Sequence, residues 1–181
     1  MRLRPLWALI PILLAFTIPA TADAQIPGLR IGLGGGPAFP LSDLAGETAT
    51  GVHLRGSVGL EIPLIPLGVR GDVLWQRYPA DTNGNFTGLA GLLNATLRLP
   101  IPVVRPYLIG GVGFVDYSDP EVPNELPGQP IDEPAEDGTN FAFAAGAGLE
   151  IRILRIGGFV EARYMDWGRH RAIPLTIGIT F

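Results

Sequence analysis

The feature that most narrows what this chain can become is an alternation of apolar and polar residues with period two, repeated along most of its length. Successive side chains of a strand point to opposite faces, so the alternation predicts strands with one apolar and one polar face. It is clearest from Gly51 to Ile62. There Val52, Leu54, Val58, Leu60 and Ile62 share one face, while His53, Arg55, Ser57, Gly59 and Glu61 share the other. Leu67 to Tyr78 repeats the scheme, with Leu67, Val69, Val73 and Trp75 opposite Arg70, Asp72 and Gln76. Six further segments fit: Leu29 to Ala38, Phe86 to Leu99, Val104 to Tyr117, Asn140 to Ile153, Ile156 to Trp167 and Ala172 to Phe181. In the run YLIGGVGF the alternation leaves the faces open.

Charge then decides which face is which. The polar face carries Arg55, Glu61, Arg70, Asp72, Arg98, Glu150, Arg152, Glu161 and Arg163, five arginines against four acids, all within strands. A soluble barrel keeps its charges outside and its apolar residues within. Near-balanced charges at mid-strand suit a narrow lumen instead, where each must find a partner, because an unpaired buried ion costs several kcal/mol. Eight strands leave an interior just wide enough to be filled by side chains. The expected fold is therefore all-β: an eight-stranded antiparallel up-and-down transmembrane β-barrel with a plugged lumen.

The connections support this topology. Short ones at Pro63 to Pro66, at Pro100 to Val103 and around Leu154 and Arg155 alternate with longer polar ones. The latter run from Phe39 to Thr50, Pro79 to Asn85 and Ser118 to Thr139, with a brief one around Gly168 to Arg171. Outer-membrane barrels pair short periplasmic turns with longer outer loops, which places both ends of the barrel on the periplasmic side. Under that topology Trp75, Tyr78, Phe86, Tyr117, Phe141 and Trp167 fall at the outer ends of strands and are expected to form an interfacial aromatic girdle. Tyr107 and Phe181 would mark the inner interface.

The first 24 residues read as a secretory signal peptide. Arg2 and Arg4 precede an apolar run from Leu6 to Ile18, and Ala22-Asp23-Ala24 offers small residues for cleavage. The run is short for a spanning helix and is interrupted by Pro11. Residues 25–181 would then be the barrel domain, delivered to the cell outer membrane. Composition agrees: 25 glycines, 18 prolines and only 17% charged residues suit a turn-rich chain with one face against lipid. Cysteine is absent, which excludes disulfides and thiolate metal sites. A net charge of −4 gives no footprint for nucleic acid.

With these features in place, the chain resembles the small outer-membrane β-barrel families of the OmpA/OmpX type and the broad porin-family, outer-membrane protein β-barrel domain group. The strands YLIGGVGF, GAGLEIRI and FVEARYMDW and the terminal PLTIGITF carry the resemblance. It implies a monomeric protein of a Gram-negative cell envelope, with outer-membrane lipids around it and a structural or surface-interaction role. It also implies that the barrel-assembly machinery reads the last strand, with Phe181 as the key residue and Leu175, Ile177 and Ile179 supporting it. A small passive diffusion channel and a lipid-modifying enzyme are the alternatives within this group.

No catalytic constellation accompanies the barrel. His53 falls on the lumen face and is read as a network residue; His170 lies in a loop between Arg169 and Arg171. The acidic connection from Asp116 to Asp137 lacks EF-hand spacing and is read as a solvated loop. The strand glycines lack the helix and anchor of a nucleotide loop and are read as sites of tight curvature. No cofactor and no metal are expected.

Overall fold

A computed structural model describes residues 28–41, 48–62, 65–80, 84–101, 103–118, 138–153 and 156–181. The signal-peptide segment, and most of the acidic connection from Asp119 onward, lie outside the described residues. The described residues form eight strands: β1 (Leu29–Leu41), β2 (Gly51–Glu61), β3 (Leu67–Ala80), β4 (Gly84–Arg98), β5 (Val104–Ser118), β6 (Gly138–Ile153), β7 (Ile156–Trp167) and β8 (His170–Thr180). Each pairs antiparallel with its sequence neighbours, and β8 returns to β1, so the sheet closes into a barrel with no free edge. Every strand has at least the roughly 9–11 residues that a tilted strand needs to cross a bilayer.

The side chains sort as the alternation requires. Leu54, Leu93, Ile177 and Phe141 stand 60% exposed or more on the outside, amid a continuous belt of apolar neighbours. Arg55, Asp72, Glu150 and Glu161 are at most 4% exposed, inside. The inside-out arrangement is that of a membrane barrel, in which lipid solvates the apolar face and the polar face turns to the lumen. The register also settles YLIGGVGF: Tyr107, Ile109, Val115 and Tyr117 point inward, while Leu108, Val112 and Phe114 face out.

Two local differences from the sequence reading matter for the interior. The β7–β8 connection is a two-residue turn in which Gly168 holds a left-handed φ of 58°. His170 therefore begins β8, buried, and is not a loop residue. The interior wall of β5 and β6 is also built from small residues, so long side chains from opposite strands can lie against it. Within that wall the Tyr107 ring of β5 packs directly over its neighbour Gly148 on β6, where any Cβ would collide with it.

Candidate functional site

The lumen holds two ionic groups and, above them, an aromatic layer. The central group is organised by Glu161 on β7, only 1% exposed. Its carboxylate pairs with Arg55 on β2, with Arg70 on β3 at 2.8 Å and with Arg163 on β7 at 2.5 Å, and it accepts a hydrogen bond from the Tyr107 hydroxyl at 2.8 Å. Strands β3 and β7 are diametrically opposite in an eight-strand ring, so the Arg70–Glu161 pair spans the lumen. Asp72 completes the group through Arg70 at 3.0 Å, Arg163 at 2.8 Å and the Asn94 amide at 2.9 Å. Arg55 also lies over the Phe159 ring, 4.8 Å from its centre.

The second group lies toward the end of the barrel at which the chain terminates. Arg30 on β1 grips Glu150 on β6 with two hydrogen bonds, at 2.7 and 2.5 Å, and pairs with Glu61 at 2.6 Å. Arg98 reaches Glu61 at 2.8 Å, and Arg152 approaches Glu150 at 3.8 Å. All nine charged residues expected in the lumen face inward. The alternation did not reveal Arg30, whose strand is too glycine-rich to display two faces, or Arg105. With them, seven arginines meet four acids inside, among the described residues. The near balance expected from the sequence is thus corrected to a cationic surplus. Tyr107, expected at the inner membrane interface, is instead a buried ligand of Glu161.

The girdle expectation needs the largest correction. Trp75 and Phe141 do face outward, but Tyr78, Phe86, Tyr117 and Trp167 are at most 4% exposed and point into the lumen. Phe86 stacks on Tyr117 at 5.3 Å, Tyr78 meets Phe86 edge-on at 6.0 Å, and His170 packs 5.3 Å from both Phe86 and Tyr117. The outward aromatics of the outer half are Phe39, Trp75, Phe114, Phe141, Phe143 and Tyr164. Parity was the available signal. Tyr78 lies an odd number of positions from Trp75 and an even number from Arg70 and Asp72, so it shares the polar face.

Between the aromatic layer and Glu161 lies His53, whose Nε2 stands 2.8 Å from the Thr176 hydroxyl. The enclosed space among Arg30, Arg55, Arg70, Glu150 and Phe159 amounts to about 20 Å³, room for about one water. On β8, Ile177, Ile179 and Phe181 face outward and Leu175 is half-buried. Phe181 exchanges two backbone hydrogen bonds with Ile31, at 2.9 and 3.2 Å, and so closes the seam between β8 and β1 at its end.

These orientations can be tested by fluorescence. In protein refolded from Gln25 onward, brominated lipids should quench Trp75 in the W167F variant and leave Trp167 nearly unquenched in W75F. Equal quenching of the two would refute the inward aromatic layer.

A closed antiparallel barrel with an apolar outside and a charged, side-chain-packed inside defines an integral outer-membrane protein. Residues 8–166 match the family model described as "Outer membrane protein beta-barrel domain", and the chain belongs to that family. Among solved structures it is similar to Neisserial surface protein A (TM-score 0.62, 18% identity, 84% of this chain and 96% of that one). It is also similar to Ail, the attachment invasion locus protein of Yersinia pestis (TM-score 0.57, 16% identity, 85% and 99%). A third likeness is to the N-terminal β-barrel domain of Pseudomonas aeruginosa OprF (TM-score 0.52, 13% identity, 84% and 97%). At these identities the likeness is one of fold. No curated protein matches the chain.

Proposed function

We propose that this protein is a monomeric, non-conducting barrel of the outer membrane with a structural or surface-interaction role, its outer connections displayed on a rigid mount. The observation that carries the reading is the cross-lumen network on Glu161, which ties β2, β3, β5 and β7 together where a pore would have to pass. Export would be directed by residues 1–24, with cleavage after Ala24. Insertion would be directed by the barrel-assembly machinery through Leu175, Ile177, Ile179 and Phe181. Two of the similar structures bear names of surface or attachment proteins, which agrees with such a role. The reading is non-enzymatic: His53, 1% exposed and engaged with Thr176, is turned away from any lipid substrate at the barrel wall. Planar-bilayer recording tests the proposal. A flat trace at concentrations where a general porin gives steps is the expected result, and stable, ion-selective steps would overturn it in favour of a small passive channel.

A further inference from the structure

The periplasmic turns differ from the polar hairpins that usually close such a barrel. Ile62, Ile65 and Leu67 on the β2–β3 side, and Leu99, Ile101 and Val103 on the β4–β5 side, are large, apolar and exposed. Trp75 marks the outer boundary of the apolar belt on β3. With ~3.3 Å per residue, ~40° tilt and a belt ~25 Å tall, the inner boundary falls about ten residues away, at Ile65. The same count from Phe114 on β5 reaches Val104. The exposed turns therefore sit where acyl chains give way to headgroups in the inner leaflet, continuous with the lipid-facing belt.

Between the two turns opens a cleft of about 370 Å³, whose walls include Ile65, Leu67 and Ile101 on the apolar side and Glu61, Arg98 and Arg105 on the other. It is a built feature. The Arg98 backbone N–H donates to the Pro66 carbonyl at 2.7 Å, which ties the end of β4 to the β2–β3 turn, and the Leu99 N–H donates to the Pro106 carbonyl at 2.9 Å, which closes the β4–β5 turn. Arg98 is committed to Glu61. Arg105 pairs with none of the carboxylates among the described residues. Among the described residues around this mouth, Arg30, Arg98, Arg105 and Arg152 face only Glu61 and Glu150, a surplus of positive charge at headgroup depth. Guanidinium groups match phosphate geometry, and the apolar wall beside them matches a lipid tail.

We propose that this cleft binds one anionic phospholipid of the inner leaflet, its phosphate on Arg105 and its acyl chain along Ile65 and Ile101. Native mass spectrometry of the refolded barrel in detergent tests this, with phosphatidylglycerol, phosphatidylcholine of the same chains, and inorganic phosphate as separate probes. Retention of phosphatidylglycerol should exceed that of phosphatidylcholine several-fold. Arg105→Gln should bring the two to parity, while Arg77→Gln, at the outer end of β3, should leave the preference intact. Heat-modifiable migration verifies that each variant is folded. If Arg105→Gln does not fold, Ile101→Asn decides, since it should lower retention of both lipids several-fold while keeping the preference. Equal retention of the two lipids by the unaltered protein would overturn the proposal. So would a preference that survives Arg105→Gln, or retention unaffected by Ile101→Asn. Inorganic phosphate that binds as well as the lipid would overturn it too, by showing an anion site with no lipid specificity.

Discussion

Replacing Glu161 with alanine will lower the stability of the folded barrel against urea by about 3–5 kcal/mol, the scale for removing one partner of a buried ion pair. The substitution leaves Arg55, Arg70 and Arg163 buried around Asp72 alone and strips the Tyr107 hydroxyl of its acceptor. All of these groups are at most 7% exposed, and the space beside Arg55, Arg70 and Tyr107 holds about one water. Arg152→Gln supplies the contrast. Its side chain is 31% exposed and 3.8 Å from Glu150, and the loss there should stay within about 1 kcal/mol, as for solvated pairs. Equilibrium unfolding in lipid vesicles measures both. A Glu161→Ala barrel as stable as the parent would show that the charges compensate without their central anion.

Deleting Phe181 will deplete the outer-membrane fraction of folded, heat-modifiable barrel several-fold, with the exported chain accumulating in the periplasm. Two physical losses coincide. The residue's backbone supplies both hydrogen bonds that tie the end of β8 to Ile31 on β1, and its ring, 53% exposed, anchors the terminal strand on the lipid side. Phe181→Ala keeps the backbone bonds and removes the ring, so it separates seam closure from recognition of the side chain. Cell fractionation with unheated gels reads all three proteins. Normal insertion of the deletion would leave the eight-strand barrel standing but remove the assembly role from its last residue.

Strand existence was legible because each strand meets two different solvents, and composition must then alternate. On β2, where Val52, Leu54, Val58 and Leu60 oppose Arg55 and Glu61, period and face are both plain. On β1 the run of Gly34 to Gly36 erases the contrast, and Arg30 went unseen in the lumen. Height along a strand does not by itself fix the side on which an aromatic residue stands; parity does. Tyr78, Phe86, Tyr117 and Trp167 are indeed near the outer ends, but each stands on the same side as the charges. Which acid meets which arginine was beyond the sequence altogether. Arg55 and Glu161 are 106 positions apart, and only the stagger at which β8 returns to β1 brings them to the same level. Alternation encodes the side on which a residue stands, whereas closure of the ring sets its partner.

The layer of Tyr78, Phe86, Tyr117 and Trp167 over the ion pairs has an electrical consequence. Proton wires need a chain of waters or titratable groups, and this layer interposes a thickness of ring carbon between the outer medium and the arginine-rich floor. Ions arriving from the outer end would therefore meet packed ring faces before they met the ion pairs around Glu161.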